Sequence, residues 1–302
     1  MKSGWKLLFT IFFLFTLTVW LAVFLYPKSL LKIIACDVGQ GDAFLVYYKT
    51  TQILIGGGPN SKVLECIDRN VPFWDREIEL VIMSHPQTDH FQGLIDVFKH
   101  YNVQNFAISG LDSGSQEFRA LKSQVGGSAT KVIRVDSSMD MRVGLIYLDI
   151  LHPSSDFIAS KSSLLETNEE NVLGAYTSSV DPNEFSVVAV LKYKNFEAIF
   201  TGDIGPKTSE LVSEEIKAGA YNTIEYIKIP HHGSKNGLTQ GFLDAVNPEV
   251  AVISAGKNNS YGHPHKEVLD MLKEKGVEIL RTDQVGDVIV ESDGEKIVIP
   301  SR

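Results

Sequence analysis

Within Ser84-His85-Pro86-Gln87-Thr88-Asp89-His90, two imidazoles and a carboxylate fall inside six residues. They follow directly on Leu80-Val81-Ile82-Met83, a continuous apolar run that predicts a strand buried on both faces. Neutral imidazole nitrogen and ionised carboxylate oxygen are the usual donors to a divalent metal. A loop leaving a rigid strand holds such donors in fixed mutual geometry, which a metal centre requires. The same composition also suits a plain polar loop, so other strand ends must supply matching donors for the metal reading to stand.

They do. Phe196-Glu197-Ala198-Ile199-Phe200 reads as a strand and runs into Thr201-Gly202-Asp203. Ile224–Ile229 reads as another and runs through Pro230 into His231-His232-Gly233-Ser234. Ala251-Val252-Ile253-Ser254 leads through Gly256 to Tyr261-Gly262-His263-Pro264-His265. Six of the eight histidines thus lie just past strand ends, with His100 and His152 outside these segments. Ligands gathered from several strand ends are how a sheet scaffold builds a site.

The elements that must position them alternate along the chain. Strands are expected at Leu31–Val38, Ala43–Lys49, Gln52–Ile55, Ile78–Met83, Val103–Ile108, Lys131–Val135 and Leu145–Leu151. Helices are expected at Ser61–Asn70, Phe91–Tyr101 and Ser115–Val125. Residues 154–182 are rich in Ser, Thr, Asn and Glu and show no periodicity; this long loop is open to being a lid or a floppy insertion. Strands then follow at Ser186–Lys194, Glu197–Thr201, Ile224–Ile229 and Val250–Ser254, with helices near Lys207–Ala218, Thr239–Val246 and Lys266–Lys275. Val277–Leu280, Val285–Val290 and Lys296–Ile299 close the pattern. Two strand-rich halves with interspersed helices predict a layered α/β arrangement.

Ahead of this domain, Leu7–Tyr26 carries no charged residue and matches the roughly 20 apolar residues that span a bilayer. A cleavable signal would have an apolar core of only about 7–15 residues and a small-residue cleavage site, which Tyr26-Pro27-Lys28 does not offer. The expected organisation is a membrane anchor over residues 1–30 and one large folded domain over 31–302. Lys2 and Lys6 precede the span and Lys28 and Lys32 follow it, so the positive-inside rule leans only slightly to a single pass with the domain on the extracytoplasmic side. A net charge of −9 argues against a broad electrostatic grip on nucleic acid, though not against a local one from Lys228, Lys235, Lys257 and Lys266. Cys36 and Cys66 have no metal-type spacing and are expected to be two small apolar residues, bridging only if the domain is exported.

In order, Asp37-Val38-Gly39-Gln40-Gly41-Asp42, the His85–His90 loop, Thr201-Gly202-Asp203, His231-His232-Gly233-Ser234 and Tyr261-Gly262-His263-Pro264-His265 resemble the metallo-β-lactamase superfamily. The nearest likeness is to the nuclease-like domain of the ComEC DNA-internalisation competence family, and Arg281-Thr282-Asp283-Gln284 with Gly286 extends it to the closing segment. The resemblance implies a four-layer αββα sandwich. It also implies a metal-dependent hydrolase, a phosphodiesterase or DNase. The family's multispanning channel is missing from this chain, so a separate channel protein becomes a candidate partner and single-stranded DNA a candidate substrate.

The resemblance also implies roles. His85 would serve one metal, Asp89 and His90 the other, and Asp203 would bridge. A late imidazole completes the second position; His263 and His232 both qualify, with His263 slightly preferred. Asn183 and Ser186 resemble the family's Asn-x-x-Ser segment and, with Lys235, are expected to meet substrate. Three departures stand out: Gln87 replaces a ligating histidine, Gly56 stands where relatives usually carry a supporting Asp, and no clear extra histidine falls between His90 and Asp203, where His152 is open to that role or to a plain strand end. Losing an imidazole moves the site from Zn²⁺ toward Mn²⁺ or Mg²⁺ and predicts one firmly held ion with a second, weak one.

A divalent ion lowers the pKa of water from about 15.7 toward about 7, supplying hydroxide for in-line attack on a phosphodiester. Asp89 would support that chemistry, and His231 or His232 would protonate the leaving oxygen or brace Asp203. Two other functions stay open: hydrolysis of a small phosphoester on the same fold, and a degenerate member that binds DNA or a partner without turnover.

Overall fold

The computed structural model describes residues 2–25, 30–164, 173–219, 221 and 223–300. The chain divides into two compact units, Met1–Leu30 and Leu31–Arg302. The first is the helix Lys2–Leu25, whose segment Gly4–Leu21 is long and apolar enough to cross a membrane.

The second unit is built on two sheets. One runs, in spatial order, Ile297–Val298, Val288–Ser292, Leu31–Ala35, Phe44–Tyr48, Thr51–Ile55, Glu77–Met83, Asn102–Ile108 and Lys131–Arg134. The other runs Glu278–Arg281, Val250–Ile253, Tyr226–Lys228, Phe196–Phe200, Val188–Tyr193, Ile146–His152 and Asp140–Val143. Each is mixed. Thr51–Ile55 through Lys131–Arg134 are parallel in the first sheet, and Phe196–Phe200 through Glu278–Arg281 in the second.

Three apolar layers glue four structural ones. Between the sheets, Phe44, Ile53, Leu80, Leu148, Leu191, Phe200 and Val252 pack together. Alternate residues of the first sheet, such as Leu54, Val81 and Phe106, instead meet helix residues Val63, Leu94, Val97 and Phe118. Ile199, Ile227 and Ile253 of the second sheet meet Val212, Phe242, Val268 and Leu272. Central strands therefore bury both faces, which explains their unbroken apolar sequence. The architecture is the αββα sandwich expected.

Several boundaries differ. The helix expected over Phe91–Tyr101 is a single turn, Thr88–Phe91, then Leu94–His100 after a break. The long loop after Pro153 holds a short helix, Ser155–Lys161, whose N-terminus is capped by the Ser154 hydroxyl accepting from the Phe157 amide. That helix buries none of its side chains, so it carries no periodic signature. Leu164 and Tyr176 pair in a two-residue ribbon, and residues 165–172 lie outside those described. Asp140–Val143 is an edge strand whose Met141 and Val143 pack on the inter-sheet core while Asp140 and Arg142 are exposed, an alternation only four residues long.

The cysteines are a correction. Cys36 and Cys66 are not two independent apolar residues; they form a disulfide with Cα atoms 5.7 Å apart. Cys36 follows the strand Leu31–Ala35 and Cys66 lies on the buried face of helix Lys62–Asn70, so sheet-on-helix packing brings them together. The bridge ties the segment carrying Asp37–Asp42 to that helix.

Candidate metal centre

The site sits at one edge of the two sheets, beyond the carboxyl ends of Glu77–Met83, Phe196–Phe200, Tyr226–Lys228 and Val250–Ile253. Two special backbone features shape it. Gly202 has φ 53°, and a Cβ there would lie 2.7 Å from the Ser186 Cβ. His231 and His232 both adopt left-handed φ, 49° and 54°, which turns the chain sharply after Pro230. Strain of this kind persists only where surrounding structure fixes it, and it clusters at functional sites.

Asp89, His90, Asp203 and His232 converge: one donor atom from each lies within 4.8 Å of the others. His90 Nε2 is 3.1 Å from Asp203 Oδ2 and 3.9 Å from Asp89 Oδ2. His232 Nε2 is 3.2 Å from Asp203 Oδ2 and 3.4 Å from Asp89 Oδ2. A tetrahedral shell with bonds of about 2.1 Å spaces its donors about 3.4 Å apart, so these separations fit one cation at the middle. Both Nε2 atoms are buried, and neither makes a hydrogen bond despite the nearby carboxylates. With the two carboxylates they converge on a common centre.

The other ring nitrogens are held from behind. His232 Nδ1 donates to the Ser254 carbonyl at 2.9 Å and lies 3.2 Å from Asp42 Oδ1. Nδ1 thus carries the proton and Nε2 offers its lone pair, the tautomer a metal ligand needs. His90 Nδ1 is 3.2 Å from the Ser84 hydroxyl and 3.7 Å from Asp42 Oδ2. The Ser254 hydroxyl in turn donates to the Gly41 carbonyl, tying the Asp42 loop to the other sheet.

Electrostatics follow from this enclosure. Burial opposes charge on His90, but Asp203 and Asp89 outweigh it and raise its pKa. Burial likewise opposes charge on His232, and Asp203 and Asp42 drive its pKa well up. Burial alone would raise Asp203, yet His232, His90 and Lys228 hold it well below the usual carboxylate range. Burial and the neighbouring His90 push His85 down to about 3, so its ring is neutral.

The expected residues separate into groups. Of the two late imidazoles, His232 lies in the four-donor group, whereas the slightly preferred His263 lies outside it. It lines the adjoining cleft, its ring stacked against Tyr261 at 5.7 Å. His85 also lies outside the group; its ring packs against His90 at 4.2 Å and its Nδ1 meets the Ser84 and Ser186 hydroxyls. Ser186 is fully buried, its hydroxyl occupied by His85 and by the Asp203 amide, so it holds the site rather than meeting a substrate. Asn183 is buried in the Pro182–Phe185 turn and Lys235 is exposed; neither is among the cleft walls. Lys228, expected at the site mouth, is instead 1% exposed.

Asp42 is the residue that sequence reasoning passed over. It is buried and joins Lys228, His90 and His232 from behind. It also explains Gly56, which has φ 73° and whose Cβ would lie 2.3 Å from the Asp42 carbonyl oxygen. No side chain fits there, and the supporting carboxylate comes from Asp42 instead. The cue was the Gly-Gln-Gly-Asp run, whose glycines let this backbone approach Asp89 closely.

In front of the donors opens a cleft of about 590 Å³, with Gln40, Gln87, Thr88, Ser113, Ser115 and His231 among its walls. Amides and hydroxyls dominate, and His231 supplies an imidazole outside the four-donor group.

No family model matches the chain. ComE operon protein 3 of Bacillus subtilis is 27% identical over 303 residues, covering 90% of this chain and 34% of that protein. Competence protein ComA of Neisseria gonorrhoeae is 25% identical over 264 residues, covering 86% of this chain and 32% of that protein. The chain spans about a third of the length of these relatives. Among solved structures, the metallo-β-lactamase fold protein YhfI of Bacillus subtilis superposes with a TM-score of 0.52 at 12% identity, over 87% of this chain and 100% of that one. The homologues of this chain are thus competence proteins of the ComEC family, and its fold is that of the metallo-β-lactamases.

Proposed function

We propose that this chain is a membrane-anchored, metal-dependent phosphodiesterase that cleaves DNA on the extracytoplasmic side. The observation that carries the reading is the pair of buried, unsatisfied imidazole nitrogens of His90 and His232 facing the Asp89 and Asp203 carboxylates. Two imidazoles and two carboxylates suit Mn²⁺ or Zn²⁺. Such an ion, when bound, polarises a phosphoryl oxygen and acidifies water.

The chain's own groups supply the rest. Asp42 and the Ser254 carbonyl fix the His232 tautomer, and Ser84 orients His90. His231, half-buried at the cleft edge with its pKa lowered by burial, offers a neutral imidazole that can accept a proton from the attacking water or hold a phosphate oxygen through its ring N–H. His232 is committed to the donor cluster and is released from that role. The hydroxyls of Thr88, Ser113 and Ser115 and the amides of Gln40 and Gln87 are suited to phosphate and sugar oxygens. With Gly56 accounted for by Asp42, one of the two features favouring a degenerate, non-catalytic member loses its force.

A disulfide supports the extracytoplasmic side, because such bridges persist in oxidising compartments. A DNA-uptake setting accords with the competence relatives. The test incubates detergent-solubilised protein with linear single-stranded DNA and with bis-p-nitrophenyl phosphate, with and without Mn²⁺. Mn²⁺-dependent cleavage of both, lost in Asp203→Ala, is expected. Cleavage of the small ester alone would make the substrate a small phosphoester, and binding without turnover would overturn the enzymatic reading.

A further inference from the structure

Lys228 ends the strand Tyr226–Lys228 and is 1% exposed, a rare state for an ammonium group. Its Nζ lies 2.5 Å from Asp42 Oδ2 and 3.2 Å from Asp203 Oδ1, and it donates to the Gly202 carbonyl at 2.5 Å. Three oxygens therefore meet its three N–H donors. Two of those oxygens belong to carboxylates, so the group sits as an ammonium between two anions.

The two oxygens of Asp203 are used differently. Oδ2 faces His90 Nε2 and His232 Nε2, at the centre of the four-donor group. Oδ1 faces Lys228. A carboxylate can bridge two ions by giving one oxygen to each, and here the second oxygen is spent on the ammonium. Charge points the same way. Three carboxylates, Asp42, Asp89 and Asp203, meet in this shell, and Lys228 with one divalent ion supplies three positive charges against them. A second divalent ion would leave the shell with an uncompensated buried excess of positive charge, which is costly.

We propose that the Lys228 ammonium is the resident second cation of this centre, taking the bridging oxygen of Asp203 and restricting the site to one divalent ion. This rests on the metal centre described above and replaces the weak second ion expected from the sequence. Lys228 is a positioning residue: it acts on the ion through Asp203 and, through Asp42, on His232. His85 remains outside the group, its Nδ1 bonded to serine hydroxyls.

The test titrates chelator-stripped, full-length protein in detergent with Mn²⁺ up to millimolar concentration. Bound ions are counted by equilibrium dialysis with elemental analysis, and the electron paramagnetic resonance spectrum is recorded at each load. One ion per chain with the hyperfine pattern of an isolated Mn²⁺ is expected. Two ions with a spin-coupled spectrum would overturn the role of Lys228 while leaving the metal centre intact, whereas no bound ion would overturn the centre itself. In Lys228→Met, Asp203 Oδ1 is freed, and a second, coupled Mn²⁺ is expected at high load. A folded Met variant that still saturates at one ion overturns the proposal. Should that variant fail to fold, the wild-type count and spectrum decide the matter alone.

Discussion

Asp42→Asn is the most revealing single change, because Asp42 carries no donor to the centre yet touches everything behind it. The substitution keeps shape and one carbonyl oxygen but removes the charge facing Lys228 at 2.5 Å, with Lys228 1% exposed and Asp42 4% exposed. Removing one partner of a buried ion pair costs about 3–5 kcal/mol, since the remaining charge is stranded. Asp203 and the Gly202 carbonyl still hold the ammonium, so the cost should fall at the lower end, about 3 kcal/mol. His232 Nδ1 also loses its carboxylate neighbour at 3.2 Å, and losing such a partner weakens metal affinity by about 10–100-fold. Urea denaturation of the chelated protein and Mn²⁺ calorimetry of the folded variant measure the two effects separately. Glu65→Gln is the control: its contact with Arg69 spans 3.8 Å on the surface, and the cost should stay below about 0.5 kcal/mol. A loss under about 1 kcal/mol in Asp42→Asn, with unchanged affinity, would refute the reasoning.

Reducing the Cys36–Cys66 bridge, or replacing both residues with Ser, releases a loop closed across 30 residues, worth about 3.6 kcal/mol by the chain-entropy relation. A fall of roughly 7–10 °C in Tm is expected by calorimetry, and an unchanged Tm after verified reduction would contradict it. His152 is buried with Nε2 donating to the Glu184 carbonyl, and burial pushes its pKa down to about 4. The folded state favours the neutral ring, so its contribution is present above the unfolded value near 6.5 and is lost as pH falls toward 4. The wild type should therefore lose about 3 kcal/mol more than His152→Gln across that window, and parallel stability curves would rule this out. The raised pKa values of His90 and His232 mean that a bound cation displaces protons, so Mn²⁺ affinity should fall as pH drops from 8 to 6. Calorimetry in buffers of different ionisation enthalpy should register proton release; a value of zero at pH 6 would disprove the ligand assignment.

The layered fold was legible because its strands are central and continuously apolar, and each donor-bearing loop follows one of them. Asp89, His90, Asp203 and His232 could be read from strand ends for that reason. The choice between His232 and His263 could not, since both follow strands of the same sheet and only the left-handed turn at His231 and His232 brings His232 beside Asp89 and Asp203. Asp42 and Lys228 were hidden for a different reason. Asp42 has only the Gly-Gln-Gly-Asp run as a cue and Lys228 has no local pattern, and their pairing exists only once the two sheets face each other. The disulfide was missed likewise, because it depends on a helix docking against a strand end far along the chain. Ser155–Lys161 escaped because a helix with no buried side chain leaves no apolar stripe.

Anomalous diffraction from crystals equilibrated with Mn²⁺ tests the central claim most directly. A single peak is expected among Asp89, His90, Asp203 and His232, with both Nε2 atoms as ligands. A peak at His263 and His265 instead, or none near Asp203 under saturating metal, would contradict it.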